Sequence, residues 1–125
     1  MKRWIWVPAI LVVLVVIWLL LNPPRFWANW TKRVQPSPEV GAQLVEKYAC
    51  RDCHRIAGQG ALKAPNLAGV TRREGDPDLE RLRSWLRDPS AVRPNTVMPN
   101  FRLSDTEIEA IVQYLQALDQ QAAGD

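Results

Sequence analysis

The longest apolar run of the chain lies near its N-terminus. Trp4 to Leu21 form an 18-residue stretch without a charged side chain, and most of it is Ile, Val or Leu. A helix rises about 1.5 Å per residue, so the run reaches roughly 27 Å, close to the ~30 Å hydrocarbon core of a bilayer. Tryptophans lie at both ends, as they do at membrane interfaces. The pattern predicts a single transmembrane helix, and we assign residues 1–22 to this anchor.

A cleaved signal peptide is the alternative for this segment. Its apolar region would be about 7–15 residues long and would precede a small-x-small cleavage site. The run here is longer, and Asn22-Pro23-Pro24-Arg25 follows it without such a site. We therefore expect the segment to be retained as an anchor.

A segment rich in proline and tryptophan follows at residues 23–38. It contains Pro23, Pro24, Pro36 and Pro38. Proline-rich linkers are semi-rigid, and this one could hold the next domain up to roughly 50 Å from the membrane at full extension. Its tryptophans instead favour a position at the membrane interface for the first half. We predict a juxtamembrane linker.

The patterns of three helices occupy residues 39–119. The first, Glu39 to Tyr48, has apolar side chains on one face at spacings i, i+4 and i+8. The second is predicted from Pro77 to Arg87. Asp76 can serve as its N-cap with a proline at the first helical position, and Asp88-Pro89 ends it.

The last helix has the strongest start signal. Ser104 to Glu107 read Ser-Asp-Thr-Glu, a capping box, and an apolar stripe follows it along the helix. The polar tail from Asp119 onward is predicted to fray, and residues 120–125 are assigned to it. No repeat and no alternating strand pattern occurs, so the predicted fold class is all-α.

The charge of the chain is divided unevenly. The formal net charge of +3 includes five basic residues that flank the apolar run. From Gln35 onward there are 11 Lys and Arg against 13 Asp and Glu, a balance of −2. Because nucleic-acid binding requires a basic surface on the folded domain, the charge gives no support to that function.

Cys50-Arg51-Asp52-Cys53-His54 is the motif that carries chemistry. Two cysteines three residues apart, followed directly by histidine, are typical of covalent attachment of a c-type haem. His54 can then be the proximal iron ligand. A redox dithiol would not need the adjacent histidine, and a zinc site would need a fourth ligand that the chain cannot supply from another cysteine or histidine. The motif therefore predicts one covalent haem c.

The second iron ligand is predicted by elimination. Met98 is the only methionine outside the N-terminal segment, and His54 is the only histidine. A gap-filling core role is the alternative for Met98. The carbonyl of Pro65 is the candidate acceptor that orients the proximal histidine. Trp85 is most simply a core residue, and a hydrogen bond to a haem propionate is its alternative role.

These motifs together mark a resemblance. With the haem motif, Pro65-Asn66-Leu67 and Val97-Met98-Pro99 in this order, the chain resembles class I cytochromes c from Glu39 to Leu118. The resemblance implies that the first and last helices cross near the haem, with Gly41 and Tyr114 at the crossing. It also implies that Pro65 holds the proximal histidine.

A narrower resemblance involves the region around the second ligand. Trp85-Leu86-Arg87-Asp88-Pro89, then Met98-Pro99-Asn100-Phe101, are similar to the cytochrome domains of caa3-type oxidases and to the small cytochrome subunit of nitric oxide reductase. In bacterial c-type cytochromes, which the chain resembles, haem is attached on the outer side of the inner membrane. The haem motif therefore implies that the haem domain is exported to the outer, periplasmic side, with a cytoplasmic N-terminus.

The predicted function is electron transfer. We expect a membrane-tethered cytochrome that passes single electrons between a donor and a respiratory or photosynthetic complex, as a non-catalytic subunit of that complex. Redox proteins and the membrane are the expected partners, without nucleic acid or a small-molecule substrate. The alternative is a haem-based sensor or peroxidase with an exchangeable distal ligand.

Overall fold

The computed structural model describes Trp4 and residues 6–124. Six α-helices follow one another: α1 Trp6–Leu21, α2 Arg25–Thr31, α3 Pro38–Lys47, α4 Glu80–Arg87, α5 Pro89–Val92 and α6 Asp105–Gly124. Two 3-10 turns lie at Cys50–Asp52 and Val70–Arg72. This part of the chain contains no strand, only an isolated bridge between Ile56 and Gln59. The prediction of a helical chain without strands is confirmed for it.

The crossing of α3 and α6 forms the centre of the core. Leu44 and Val45 of α3 and Ile108, Val112 and Leu115 of α6 are all 4% exposed or less. Gly41 lies where the helices approach most closely. A Cβ there would be 2.1 Å from the Ala110 carbonyl oxygen and 2.6 Å from Tyr114 Cβ. The resemblance placed Gly41 and Tyr114 at this crossing, and their contact is observed.

The capping box predicted for α6 is confirmed. Ser104 Oγ accepts a hydrogen bond from the Glu107 backbone N–H at 3.1 Å, and Glu107 Oε2 accepts from the Ser104 N–H at 3.0 Å. Both residues are buried. Glu107 Oε1 also accepts from the Tyr48 hydroxyl at 2.9 Å. The box therefore joins the start of α6 to the end of α3.

The predicted start of α4 is wrong by three residues, because the helix begins at Glu80 and not at Pro77. Leu79 has a left-handed backbone (φ 57°) and a buried side chain. Residues 76–79 therefore form a turn that places Leu79 in the core. Asp76 still caps the helix, since its carboxylate accepts from the N–H groups of Arg81 and Leu82 at 3.0 and 2.9 Å.

The polar tail that we predict to fray is helical in this structure, since α6 continues to Gly124. Asp119 is only 4% exposed. Its carboxylate accepts hydrogen bonds from the N–H groups of Gly69 and Thr71 and from the Thr71 hydroxyl, at 2.7 to 2.9 Å. These bonds hold the last turns of α6 against the middle loop. Asp125 lies outside the described residues.

The apolar N-terminal run forms α1, and every side chain of this helix is exposed. Within the described part of the chain, no single helix has both the length and the apolar character to cross a membrane. By length and composition, α1 and α2 meet these requirements together as a pair bent by 59°. Met1, Lys2, Arg3 and Ile5 of the predicted anchor lie outside the described residues, and the transmembrane helix stays a prediction.

The predicted proline-rich linker is not extended in its first half, which forms α2 and docks on the start of α6. Asp105 Oδ1 accepts a hydrogen bond from Arg25 at 2.6 Å, and Asp105 Oδ2 accepts one from the Asn29 side chain at 2.7 Å. The Asp105 N–H in turn donates to Asn29 Oδ1 at 2.8 Å. Beyond α2, the Val34 N–H donates to Thr106 Oγ1 at 3.1 Å, and Ser104 Oγ donates to the Lys32 carbonyl at 2.9 Å. Residues 25–34 therefore form an arm pinned to the helical domain.

Candidate functional site

The cysteine motif forms a tight turn directly after α3. Ala49 has a left-handed backbone (φ 53°), and the 3-10 turn Cys50–Asp52 follows it. The His54 N–H donates to the Cys50 carbonyl at 2.9 Å, which closes the turn around both cysteines. Cys53 is exposed, whereas burial raises the pKa of the half-buried Cys50 thiol. The turn presents two thiols and an imidazole from five consecutive residues.

Gly60 allows the next loop to pass against this turn. A Cβ at position 60 would lie 2.4 Å from the His54 carbonyl oxygen and 2.8 Å from that of Arg51, and the backbone φ is +103°. The Ala61 N–H donates to the Arg51 carbonyl at 2.9 Å. Sequence reasoning did not identify this role for Gly60. The signal was the pair of glycines at positions 58 and 60, immediately after the motif.

The imidazole of His54 is oriented from behind by the segment after this loop. His54 Nδ1 lies 2.8 Å from the Pro65 carbonyl oxygen. A carbonyl can only accept, so Nδ1 carries the proton and Nε2 keeps the lone pair that a metal would take. Two backbone hydrogen bonds hold the segment in place, from Ala64 to Cys53 at 2.9 Å and from Leu67 to Arg55 at 3.0 Å.

The ring of His54 lines an apolar cleft between α3, α4 and α6. Three of the other residues singled out from the sequence, Cys50, Trp85 and Met98, line the same cleft. Its remaining lining is aliphatic: Val45, Ile56, Leu67, Leu82, Leu86, Ile111 and Leu115. Cys53 and Pro65 are not part of the lining, since Cys53 is exposed and Pro65 lies behind the imidazole. The fold thus gathers imidazole, thiol and thioether groups around one apolar cleft.

The thioether of Met98 has a polar contact within the cleft. The Trp85 indole N–H donates to Met98 Sδ at 2.8 Å. The Met98 backbone N–H donates to Thr96 Oγ1 at 3.3 Å, which ties down the irregular segment that carries it. The sequence suggested core packing or a propionate bond for Trp85. In this structure its indole N–H binds the methionine sulfur.

Two arginines, one within the motif and one directly after it, are partly unpaired. Arg51 forms an ion pair with Glu46 and donates to the Tyr114 hydroxyl at 3.0 Å. Within the described residues, however, the buried Nε atoms of Arg51 and Arg55 have no hydrogen-bond partner. A buried donor without an acceptor is costly. The carboxylates of a haem are acceptors of the right chemistry for such donors.

The turn, the oriented histidine and the apolar cleft define a haem-binding protein of the cytochrome c class. The cytochrome c family model matches residues 38–119, about two thirds of the chain, and the chain belongs to this family. Its cofactor is haem c, bound covalently. The residues present fit this group: two thiols at the required spacing, an imidazole with one free nitrogen, and an apolar cleft.

Several proteins similar to this chain are named as subunits of larger enzymes. The chain is 37% identical over 89 residues to a nitric oxide reductase subunit of Paracoccus denitrificans, covering 66% of this chain and 59% of that protein. It is 30% identical over 114 residues to the subunit of the same name from Cereibacter sphaeroides, covering 86% and 78%. Cytochrome c oxidase subunit 2 of Alkalihalophilus pseudofirmus is 31% identical over 84 residues, 62% of this chain and 25% of that protein.

Proposed function

We propose that this chain is a membrane-anchored electron-transfer cytochrome in which His54 and Met98 are the two axial iron ligands. Cys50 and Cys53 would form the thioether bonds. The observation that carries the proposal is the single cleft lined by both His54 and Met98. The bond from His54 Nδ1 to Pro65 supports it, because it leaves Nε2 as the ligating nitrogen.

Ligation by a thioether determines what the site does. Haem iron with histidine and methionine ligands has a raised reduction potential and exchanges single electrons. If His54 and Met98 both bind the iron, the chain would leave no iron position for a substrate. Pro65 orients the imidazole, the Trp85 indole N–H binds the thioether, and the rest of the cleft lining is aliphatic. The chain's own role is therefore placement and tuning, and not catalysis at iron.

The membrane and a multisubunit complex are the proposed setting. The relatives are named as subunits of nitric oxide reductase and cytochrome c oxidase, and we assign this chain to a respiratory complex of that kind. The exposed apolar side chains of α1 support a single-pass anchor. In this topology the N-terminus is cytoplasmic and the haem domain lies on the outer side of the inner membrane, as expected for exported c-type cytochromes.

Ligand replacement tests the iron site. Met98→Ala should remove the second ligand, so that the reduced protein binds carbon monoxide rapidly while the wild type does not. Val97→Ala is the matched control, because Val97 precedes Met98 and is 96% exposed. Rapid carbon monoxide binding by the wild type would contradict methionine ligation and favour a sensor or peroxidase. A covalent haem that survives in Cys50→Ala/Cys53→Ala would contradict the attachment site.

The setting is tested on membranes that contain the full chain. We expect the haem-bearing polypeptide to remain in the membrane pellet after alkaline extraction, and to co-purify with larger subunits after mild detergent extraction. Release by alkali would contradict the anchor. Purification as an isolated chain with full catalytic turnover of a small molecule would contradict the role of an electron-transfer subunit.

A further inference from the structure

A groove of about 560 Å³ lies between α2 and the helical domain. It begins at Asn22, one residue after the end of α1, and runs along α2 to Lys32. The end of α4 forms the opposite wall together with Asn100, Arg102 and Leu103. The groove therefore opens directly beside the apolar helix.

The wall of the groove is strongly cationic. Arg25, Lys32, Arg87 and Arg102 line it against a single carboxylate, that of Asp88. Hydrogen bonds from Ser90 and Ala91 lower the pKa of Asp88, whose carboxylate caps α5. Among the residues that line the groove there is thus one acid and four cations.

Two of these cations are partly balanced and two are not. Arg25 and Arg87 share Asp105, at 2.6 and 3.3 Å. Lys32 donates to two backbone carbonyls, at 3.2 and 3.5 Å, and its ammonium lies 5.7 Å from the centroid of the Tyr48 ring, so none of its contacts is with a carboxylate. Arg102 forms no salt bridge with any described residue. Positive charge is therefore left over in a cavity whose other lining includes Pro23, Pro24, Trp27 and Leu103.

We propose that this groove binds the headgroup of an anionic phospholipid. Its cations would face the phosphate, and the apolar side chains would contact the glycerol and upper acyl region. Its position at the end of α1 places it at headgroup depth, so this proposal rests on the membrane anchoring proposed above. An acidic segment of another protein of the complex is the competing occupant. The continuity of the groove with an apolar helix surface favours the lipid.

Native mass spectrometry of the full haem-loaded chain in nonionic detergent can test this binding. The probes are phosphatidylglycerol and phosphatidylcholine of equal, short chain length, and inorganic phosphate. We expect phosphatidylglycerol to bind at least tenfold more tightly than phosphatidylcholine. Each basic residue near an anionic surface contributes about fivefold in affinity, so Lys32→Gln/Arg102→Gln should weaken phosphatidylglycerol binding about 25-fold.

The matched control removes the same charge elsewhere. Arg33 and Arg93 are exposed and do not line the groove, so Arg33→Gln/Arg93→Gln should change the affinity less than twofold. Loss of Lys32 could loosen α2, so Arg102→Gln alone is measured as well, with an expected loss of about fivefold. Circular dichroism of each variant shows whether the fold is retained.

Several results would overturn the proposal. They are equal affinity for the two lipids, equal weakening by the control variant, and displacement of the lipid by inorganic phosphate at similar concentration. Protection of the groove by an acidic protein segment in the purified complex, without bound lipid, would also overturn it. The haem spectrum and the membrane partition of the same samples test the proposed function separately. A protein that keeps its haem spectrum and its membrane partition but shows no lipid preference contradicts only the proposal that the groove binds lipid.

Discussion

Replacing Gly41 with alanine tests the helix crossing on which the haem site is built. The new Cβ would lie 2.1 Å from the Ala110 carbonyl oxygen and 2.6 Å from Tyr114 Cβ. Non-bonded carbon contacts are most favourable at about 3.5–4.0 Å, so α3 and α6 must separate by about 1–1.5 Å. The nearest obstacle is backbone, which cannot rotate away as a side chain can.

Two effects of opposite sign determine the magnitude. Alanine favours a helix over glycine by about 1 kcal/mol. Overpacking typically costs about 1–3 kcal/mol, and a gap of about 0.5–1 Å forfeits roughly a quarter to a half of the dispersion energy of each contact it opens. Leu44 and Val45 lie one turn further along the same crossing and are buried. Taking the overpacking term at its upper end, we expect a net loss of about 2 kcal/mol.

Thermal unfolding of the haem-loaded chain, followed by far-UV circular dichroism, measures this loss. About 2 kcal/mol corresponds to a melting temperature lower by ~8–16 °C for a domain of this size. Gly124→Ala is the control, because no heavy atom lies within 4 Å of a Cβ at that position of α6. The control should melt like the wild type or slightly higher. If Gly41→Ala melted at the same temperature as Gly124→Ala, the close approach of α3 and α6 at Gly41 would be refuted.

Three further predictions follow from single contacts. Trp85→Phe removes the N–H that draws electron density from Met98 Sδ. Because the oxidised iron then gains stability, the reduction potential should fall by about 20–40 mV, the equivalent of about 0.5–1 kcal/mol. An unchanged potential in a redox titration would contradict this. Asp119→Ala leaves three partly buried donors of Gly69 and Thr71 unpaired and should lower the free energy of unfolding in urea by about 1–3 kcal/mol. A loss below about 0.5 kcal/mol would argue against the contact. Burial and the hydrogen bond to Glu107 raise the pKa of Tyr48 to about 12. The contribution of the Tyr48 hydroxyl to the free energy of unfolding should therefore be complete below pH ~10 and be lost as the pH rises towards about 12. If the stability of the wild type and that of Tyr48→Phe changed with pH in the same way over this range, the prediction would be wrong.

Local features of this fold could be predicted from the sequence. The capping box joins residues three positions apart, and Ser104 and Glu107 form the two hydrogen bonds that the motif implies. The haem motif is likewise confined to five residues. Gly41 was expected at the helix crossing through a family resemblance, because a single glycine in a helix does not indicate which residue it meets. Its partner, Ala110, became evident only in the structure.

Long-range polar contacts could not be predicted in this way. Asn29 binds Asp105, 76 positions away, and Asp119 binds Gly69, 50 positions away. Neither pair belongs to a periodic pattern, and a polar side chain near a chain end resembles an ordinary solvated one. The start of α4 was misplaced for a related reason. Pro77 after Asp76 is a common helix start, but burial of Leu79 with a left-handed backbone delays the helix to Glu80.

Docking of α2 changes how the haem domain is tethered. Exposed ion pairs such as Arg25 with Asp105 contribute only about 0–1 kcal/mol each, so one pair would not hold the arm. The contacts are spread from Arg25 to Val34, however, and rotation about any one of them would break the others. The segment between α1 and α2 is then only Asn22, Pro23 and Pro24, and the proline rings restrict its backbone. If α1 spans the membrane as proposed, the haem domain therefore stays close to the lipid surface in a narrow range of orientations, instead of ranging up to roughly 50 Å on an extended linker.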